Sequence, residues 1–224
     1  MRWIYLYKRV LGVITATLML LILWPIMLIT ALAVKMDSKG PVIFKQKRIG
    51  LNGKPYNMYK FRSMVVGAQS QGTGLYSFSG DTRITKVGRF IRKTSLDELP
   101  QLVNVIMGDM AFVGPRSPVV GGFPEYGGLS EAYKRRFTVL PGITGLAQVV
   151  GRNEFTWDEK VKYDNIYIDK VIKYGLLYDI YILLLTVKRV FSMSDVAEKP
   201  ENMKANQETM GTIQANVEMN SIKK

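Results

Sequence analysis

The chain has 224 residues, enough for one domain with a sizeable hydrophobic core and an appendage. Its 31 Lys and Arg residues against 18 Asp and Glu residues leave a net charge of +13, which points to an anionic partner such as nucleic acid, anionic lipid or a phosphorylated substrate. The absence of Cys and His excludes disulfides, thiolate catalysis, cysteine zinc sites and histidine general bases. Acid, base and metal chemistry must therefore depend on carboxylates, and Mg²⁺ is the metal that carboxylate oxygens favour.

An apolar run without charged residues lies between Arg9 and Lys35, and as a helix it is long enough to cover the hydrocarbon core of a bilayer. Cations flank the run on both sides, and the positive-inside rule therefore places both flanks on the cytoplasmic side. Pro25 lies inside the run and predicts a break in the helix. We predict a re-entrant helix-break-helix hairpin over residues 1–35. A kinked transmembrane helix and a cleaved signal peptide are the alternatives.

Residues 40–64 have the pattern of two short strands around Asn52 and Gly53, a pair typical of tight hairpin turns. The next stretch, 65–80, is rich in Gly, Ser and Gln, which is typical of a loop. Six cations of the hairpin are expected to face the membrane surface, where they attract anionic lipid or phosphate. They are Lys45, Lys47, Arg48, Lys54, Lys60 and Arg62.

Four further cations recur at three-residue steps, which places them along one side of a helical segment. A nucleic-acid-binding stripe is the competing interpretation. The membrane segment and the absence of a recognised DNA- or RNA-binding motif argue against it, so we expect no nucleic acid partner. The four cations are Arg83, Lys86, Arg89 and Arg92.

The stripe leads to a short segment with two adjacent carboxylates. Ser95, followed by Glu98 and then by apolar residues, predicts a capping box at the start of a helix. Asp97 would lie in the first turn, where the helix dipole favours an ionised carboxylate and backbone N–H groups favour a bound anion. Further on, Pro115 and Arg116 predict a rigid turn that presents a guanidinium, the group best shaped to grip phosphate. A simple cap and an ordinary surface turn are the alternatives.

The last third of the chain is predicted to be mostly helical. A helix from Trp157 carries Asp164 and Tyr167 as candidates for contact with a metal or with site residues, although solvated helix charges are the simpler interpretation. The apolar stretch Leu176 to Phe191 is too short for a span, so we expect it to pack on the core or to lie in the membrane interface. Residues 194–224 lack aromatic residues and lasting periodicity and are predicted to be a disordered tail.

The predicted fold class is therefore α+β and helix-rich. Residues 1–35 form the re-entrant membrane helix. Residues 36–193 form a compact cytoplasmic catalytic domain with a small β-hairpin and interfacial amphipathic helices, and residues 194–224 form the tail.

Five segments together carry a resemblance to a known family: GPVIFKQKRIG, YKFRSM, TSLDELPQLVNVIMGDMAFVGPR, PGITGLAQVVGRN and WDEKVKYDNIYI. In this order and spacing they resemble the bacterial sugar transferases, the monotopic phosphoglycosyl transferases. The resemblance implies transfer of a phospho-sugar from a UDP-sugar to polyprenyl (undecaprenyl) phosphate, which yields polyprenyl-diphospho-sugar and UMP. Such a reaction is the first membrane step of a surface glycan such as exopolysaccharide, capsule, O-antigen or a glycoprotein glycan.

The resemblance also implies roles for individual residues. Asp97 would be the nucleophile that forms a covalent aspartyl-phospho-sugar intermediate, and the same carboxylate would hold Mg²⁺. Glu98 would act as a base, position the acceptor, or only cap the helix. The implied phosphate- and substrate-binding residues are Lys60, Arg92, Arg116 and Arg152, with Arg152 near the nucleotide.

The chain departs from the family pattern at three positions. Gly12 stands where members commonly carry Asp, and Trp24 stands where a Ser commonly precedes the helix-breaking proline. Ser117 stands where a second proline usually follows the arginine.

The expected partners are a UDP-sugar, polyprenyl phosphate and membrane lipid, and a homodimer is left open. The expected location is the bacterial inner (cytoplasmic) membrane, with the catalytic domain facing the cytoplasm. Two other functions remain alternatives: a non-enzymatic membrane-anchored scaffold whose basic surface binds anionic lipid or nucleic acid, and a hydrolase that uses the same carboxylates on diphosphates.

Overall fold

A computed structural model describes residues 2–75, 77–78, 80–151, 155–191, 205–206, 208–213 and 215. The predicted helix-rich class is confirmed, because the chain is 61% helical and its described strands form two short pairs. In chain order the helices and strands are α1 (Arg2–Asp37), β1 (Ile43–Ile49), β2 (Pro55–Phe61), α2 (Lys86–Lys93), α3 (Gln101–Met107), β3 (Ala111–Val113), α4 (Glu131–Arg135), β4 (Gly142–Thr144), α5 (Leu146–Val150), α6 (Trp157–Tyr174) and α7 (Leu176–Phe191).

The predicted hairpin is confirmed. Strands β1 and β2 pair antiparallel, from Ile43 opposite Phe61 to Ile49 opposite Pro55. The turn between them holds Asn52 at φ 54° and Gly53 at φ 76°, in the left-handed region that these two residue types adopt most readily.

A second, parallel pair joins β3 to β4 and brings two turns into close contact. A Cβ atom at Gly114 would lie 2.3 Å from the carbonyl oxygen of Leu140, and one at Gly142 would lie 2.1 Å from the amide nitrogen of Gly114. Only glycine fits this approach, which fixes the chain immediately before Arg116.

Helix α1 is continuous through Pro25, so the predicted interruption at that residue is not confirmed. A proline removes one backbone hydrogen bond, and helices tolerate that loss in membrane-type segments. One face of α1 packs on the rest of the protein through buried Ile4, Ala16 and Val34. At Gly12 a Cβ would lie 3.2 Å from Val105, so the absence of a side chain allows close packing against α3. The opposite face is apolar and exposed, through Leu6, Val10, Ile14, Leu18, Leu21, Ile22, Ile29 and Leu32.

Both ends of α1 are held by the folded domain. Near the N-terminus, the buried Lys8 ammonium donates to the Val113 carbonyl and pairs with Asp179 of α7. At the C-terminal end, the Arg62 guanidinium donates to the carbonyl oxygens of Ser38 (2.6 Å) and Lys39 (2.8 Å). Arg62 is therefore buried and tied to the end of α1, which corrects the expectation that it faces the membrane surface.

Helices α6 and α7 form the second large packing unit. Helix α6 begins with a capping box in which the Thr156 side chain accepts from the Glu159 amide and Glu159 accepts from the Thr156 amide. Tyr167 is fully buried. Its hydroxyl donates to Asp179 Oδ1 at 2.7 Å, and the hydroxyl oxygen also lies 3.1 Å from the Val113 carbonyl oxygen. Tyr167 therefore joins β3, α6 and α7.

Part of the segment predicted to be a disordered tail is described as helical: residues 205–206, 208–213 and 215. Asn206 is buried, and its side-chain oxygen accepts from the Trp157 amide at 2.8 Å. Met210 and Ile213 pack against the apolar cluster that includes Phe123 and Val161.

Candidate active site

The segment with the two adjacent carboxylates folds as a single 3₁₀ turn, Leu96–Glu98, that precedes α3. The predicted capping box is absent there: Ser95 adopts a left-handed φ of 58° and its side chain makes no capping hydrogen bond. This conformation is unfavourable for a residue with a Cβ, at a cost on the order of 1–3 kcal/mol. Such strain is typical of segments that present functional side chains.

Glu98 is the anchor of this segment. Its Oε1 atom accepts from Lys60 Nζ at 2.6 Å and from Arg116 Nη2 at 3.1 Å. Burial by itself raises the pKa of Glu98, but the two cations and their hydrogen bonds outweigh burial and hold this pKa far below its usual range. Glu98 is therefore a fixed anion that orients two phosphate-binding side chains.

Asp97 has a different environment. Its side chain is buried, and no described residue hydrogen-bonds to its carboxylate. Burial raises the pKa of Asp97, opposed by Lys60 and reinforced by the neighbouring Glu98. Two adjacent carboxylates thus have pKa values shifted in opposite directions, a pattern typical of catalytic pairs with divided roles.

Asp97 and Glu98 lie in the wall of a cavity of about 550 Å³. Cations dominate its polar wall and match the expectation of an anionic ligand. These are Arg48, Lys60, Arg92, Arg116, Arg136, Lys160 and Arg189. The remaining wall includes a run of apolar side chains contributed by α1, α3, β3, β4 and α5, with Leu99 just before α3. These are Met19, Leu99, Leu102, Phe112, Ile143, Ala147 and Val149.

Five of the six predicted catalytic and binding residues meet in this cavity: Asp97, Glu98, Lys60, Arg92 and Arg116. The sixth, Arg152, lies outside the described residues.

Arg83 was expected to continue the helical stripe but lies before α2. It is buried against Asp81 and the carbonyl oxygens of residues 68, 71 and 74, so it organises the loop and does not line the cavity.

Three arginines of the cavity are not among the site residues that the sequence predicts: Arg48, Arg136 and Arg189. The sequence predicts that Arg48 faces the membrane surface. In the structure its guanidinium donates to Gln46 Oε1 and to the carbonyl oxygen of Ser117, the residue after Arg116. Burial and the nearby Arg116 lower the pKa of Arg48 to about 10. Arg136 is the last of three consecutive cations, residues 134–136, and no sequence pattern distinguishes this buried residue from the other two.

The candidate residues fit a substrate-borne Mg²⁺ better than a site made by the protein alone. Among the described residues no group of three or more Asp or Glu side chains is arranged to hold a metal. Glu98 is occupied by two cations, which leaves the Asp97 carboxylate open. Mg²⁺ commonly binds through one or two carboxylates together with substrate phosphates, and this donor set matches that pattern.

Comparison with known proteins supplies an independent finding. The family described as Bacterial sugar transferase matches residues 3–212. A UDP-glucose:undecaprenyl-phosphate glucose-1-phosphate transferase of Klebsiella pneumoniae is 44% identical over 194 residues, which cover 83% of this chain and 40% of that protein. Galactosyl transferase CpsE of Streptococcus agalactiae is 44% identical over 194 residues, covering 82% of this chain and 42% of that protein. The uncharacterized sugar transferase EpsL of Bacillus subtilis is 43% identical over 183 residues, covering 82% and 86% respectively. The chain thus spans about two fifths of the length of the first two relatives and most of the third.

Proposed function

Because the chain belongs to the bacterial sugar transferase family, as its sequence motifs predict, we propose that it transfers a phospho-sugar from a UDP-sugar to polyprenyl phosphate. The observation that carries this proposal is Asp97: a buried carboxylate without a described hydrogen-bond partner, in a cavity that has both a cationic wall and an apolar wall.

In the first step, an Asp97 carboxylate oxygen attacks the sugar-linked phosphorus of the donor. The bond from that phosphorus to the bridging oxygen breaks, and UMP leaves with the electron pair. Asp97 then carries the phospho-sugar as an acyl phosphate. Lys60 and Arg116, held by Glu98, lie where they can bind the phosphate oxygens, and Arg92 adds a third cation.

In the second step, a phosphate oxygen of polyprenyl phosphate attacks the same phosphorus. The bond to Asp97 breaks, the free carboxylate is restored, and polyprenyl-diphospho-sugar leaves. The apolar wall suits the prenyl chain, because Met19 of α1 lies in the cavity together with Leu102 and Phe112. A membrane-borne acceptor would thus approach along α1.

The Asp97 carboxylate is the group that would hold Mg²⁺, and the ion would supply positive charge against the negative charge that develops on the leaving UMP.

Membrane attachment follows from the exposed apolar face of α1, the one described helix that is long and apolar enough to cross a bilayer. We propose that α1 does not cross it. The two ends of a spanning helix lie about 30 Å apart on opposite sides of the hydrocarbon core. Here the same folded domain holds Lys8 near one end and the Ser38 carbonyl after the other. Both flanks would therefore stay on the cytoplasmic side, where the cations on either side of the apolar run also predict them, although the continuous helix lacks the break of the predicted hairpin. The predicted homodimer stays a prediction.

The test is release of UMP from UDP-glucose and UDP-galactose in detergent, with and without undecaprenyl phosphate and Mg²⁺. Acceptor-dependent release is expected, and Asp97→Asn is expected to lower it by at least about 10⁴-fold, as loss of a nucleophile does. Asp169→Asn, which removes an exposed carboxylate on α6, is the matched control and should retain wild-type activity. Full activity in Asp97→Asn would exclude this mechanism. Without an acceptor, release should stop at about one UMP per enzyme molecule, because Asp97 then stays occupied by the phospho-sugar. Continued turnover without an acceptor would support the hydrolase. Absence of release by well-folded wild-type protein, with these two donors and a wider panel of UDP-sugars, would support the scaffold alternative.

A further inference from the structure

Beyond Asp97 the cavity contains a second polar cluster that the two transfer steps do not use. It consists of Arg136, Trp157, Lys160 and Asp164, which we call the distal pocket. Arg136 follows α4, and the other three residues lie within the first eight residues of α6. The distal pocket is thus part of the same cavity but is built from different elements.

Arg136 is buried with part of its hydrogen-bonding capacity unused. Its Nη2 atom donates to the Arg116 carbonyl at 2.8 Å and lies 2.8 Å from Asp164 Oδ2. Its Nε and Nη1 atoms are buried and have no hydrogen-bond partner among the described residues. Buried donors without acceptors are costly and uncommon in folded proteins, which makes these two atoms candidates for contact with a bound molecule.

Asp164 supplies an acceptor beside these donors. It is 1% exposed, and its one described polar partner is Arg136. Burial raises the pKa of Asp164 to about 6, opposed by Arg136 and Lys160, so the carboxylate is mostly ionised at neutral pH. An ionised carboxylate offers acceptors only.

Lys160 and Trp157 complete the arrangement. Lys160 and Asp164 are four residues apart on α6 and therefore lie on the same face of the helix. The Trp157 ring lies 5.3 Å from the Arg136 guanidinium and 5.2 Å from the Lys160 ammonium, within cation–π distance of both. The indole thus lies near two donors, and one of them, Arg136, is paired with the Asp164 carboxylate, so the distal pocket offers two donors and one acceptor.

We propose that the distal pocket binds the uracil ring of the nucleotide donor through its imide edge, with Arg136 and Lys160 donating to the two carbonyl oxygens and Asp164 accepting from N3–H. This inference rests on the proposed function for the choice of a UDP-sugar as donor.

The imide edge of uracil presents two acceptors and one donor, which match in number and kind the two donors and one acceptor of the pocket. Cytosine has an amino group in place of one carbonyl and an unprotonated N3 in place of N3–H. In the pocket its amino group would face a cation, and its N3 lone pair would face the Asp164 carboxylate. A site built to hydrogen-bond one pattern rejects the other because its buried polar groups are left unpaired.

Sugar hydroxyls are the other polar groups of the donor, but each one both donates and accepts. They do not require side chains that only donate, such as Arg136 and Lys160, together with one that only accepts, such as Asp164. If the distal pocket held the sugar, its substitution would change the preference among UDP-sugars and leave the preference between nucleobases unchanged.

The experiment compares binding of UMP and CMP to the full-length protein in detergent by isothermal titration calorimetry. We expect wild-type protein to bind UMP about 10- to 100-fold more tightly than CMP, the range expected for base-edge hydrogen bonds. Asp164→Asn should reduce this preference to within about threefold, because an amide can donate to the unprotonated N3 of cytosine as readily as it accepts from uracil. Asp169→Asn, an exposed carboxylate on the same helix, is the matched control and should retain the wild-type preference.

A second variant covers the outcome in which Asp164→Asn does not fold once Arg136 has lost its counter-ion. Lys160→Met keeps the length of the side chain and leaves the Arg136–Asp164 ion pair intact. It should weaken UMP binding by about 10- to 100-fold, the loss of one charge-assisted hydrogen bond. Equal binding of UMP and CMP by wild-type protein, or wild-type preference in the folded variants, would overturn the proposal.

These measurements need neither the acceptor nor the nucleophile, so they separate the two proposals. Asp97→Asn should retain the preference for UMP. Uracil selectivity without transfer would contradict the proposed function alone, and transfer without uracil selectivity would contradict the distal pocket alone.

Discussion

Glu98 is the residue that most clearly acts through others. It holds the Lys60 and Arg116 side chains in place, and its substitution by Gln keeps the shape but removes the charge. We expect Glu98→Gln to lower kcat/KM for UMP release by about 10²- to 10³-fold, as loss of preorganised transition-state donors does. Steady-state kinetics with a UDP-sugar would measure this. Glu131→Gln, at an exposed position in α4, should have no effect. An unchanged kcat/KM in Glu98→Gln would show that the contacts of Glu98 with Lys60 and Arg116 do not serve catalysis.

The opposite pKa shifts of Asp97 and Glu98 lead to a pH dependence. Burial raises the pKa of Asp97 above its ordinary value of 3.8. Asp97 attacks only when ionised, so activity is present above its pKa and is lost as the pH falls through it. The acidic limb of kcat/KM should therefore lie above pH 3.8. In Glu98→Gln the limb should move to lower pH, because removing a negative neighbour favours the ionised Asp97. A limb that stays in place in this variant would assign it to another group.

Among the secondary-structure elements, α1 depends on a contact that its own sequence does not reveal. Arg62, in the segment after β2, donates to the buried Val34 carbonyl in the last turn of α1, where a helix leaves its carbonyls unpaired, and to the carbonyl oxygens of Ser38 and Lys39 just after the helix. Arg62→Met should lower the free energy of unfolding by about 3 kcal/mol, since it orphans buried carbonyl groups. Thermal unfolding in detergent would detect a lower midpoint. Arg89→Met, an exposed cation of α2, is the control, and equal midpoints for the two variants would refute the role of Arg62.

The C-terminal segment makes a second such contact. Asn206 accepts from the Trp157 amide at the start of α6, and Met210 packs on the neighbouring cluster. Removal of residues 205–224 should displace Trp157 and raise KM for the UDP-sugar about tenfold while kcat changes little, because small misplacements of binding groups weaken substrate positioning. The matched control is removal of residues 216–224 only. An unchanged KM in the longer truncation would make the segment dispensable for the site.

The extent of prediction from sequence also differs among the elements. The β1–β2 hairpin follows from local chemistry, because Asn52 and Gly53 favour the left-handed turn by themselves. The prediction of a capping box at Ser95 is wrong, because a Ser and a Glu three residues apart do not by themselves determine the partner of the Glu. Glu98 instead pairs with Lys60, 38 residues away. The motif resemblance identified Asp97, Glu98 and Arg116 together.

Arg136 and its ion pair with Asp164 had no comparable sequence signal. Nothing in the run of cations that contains Arg136 sets it apart, and its burial depends on aromatic residues distant in the chain, such as Phe123 and Trp157. Residues whose role is fixed by tertiary packing are therefore the ones that periodicity and local motifs do not reveal.

At the scale of the whole molecule, the main question is how an apolar helix of 36 residues is attached at both ends to one folded domain. A spanning helix would place Tyr5 and Lys39 on opposite sides of the membrane, whereas the topology that we propose from the contacts of Lys8 and Arg62 would keep them on the same side. The chain contains no Cys, so single substitutions create unique labelling sites. We expect Tyr5→Cys and Lys39→Cys, both at exposed positions, to react with a membrane-impermeant maleimide in inverted inner-membrane vesicles but not in intact cells.

Glu131→Cys marks the side of the catalytic domain, because the Glu131 side chain is 92% exposed and lies far along the chain from α1. The three variants should share one labelling pattern. Labelling of Tyr5→Cys in intact cells, with Lys39→Cys and Glu131→Cys labelled only in inverted vesicles, would instead establish a transmembrane helix. In that arrangement the contacts of Lys8 with Val113 and Asp179 could not form, and Arg116, which follows β3 closely, would lose the support that the N-terminal end of α1 provides.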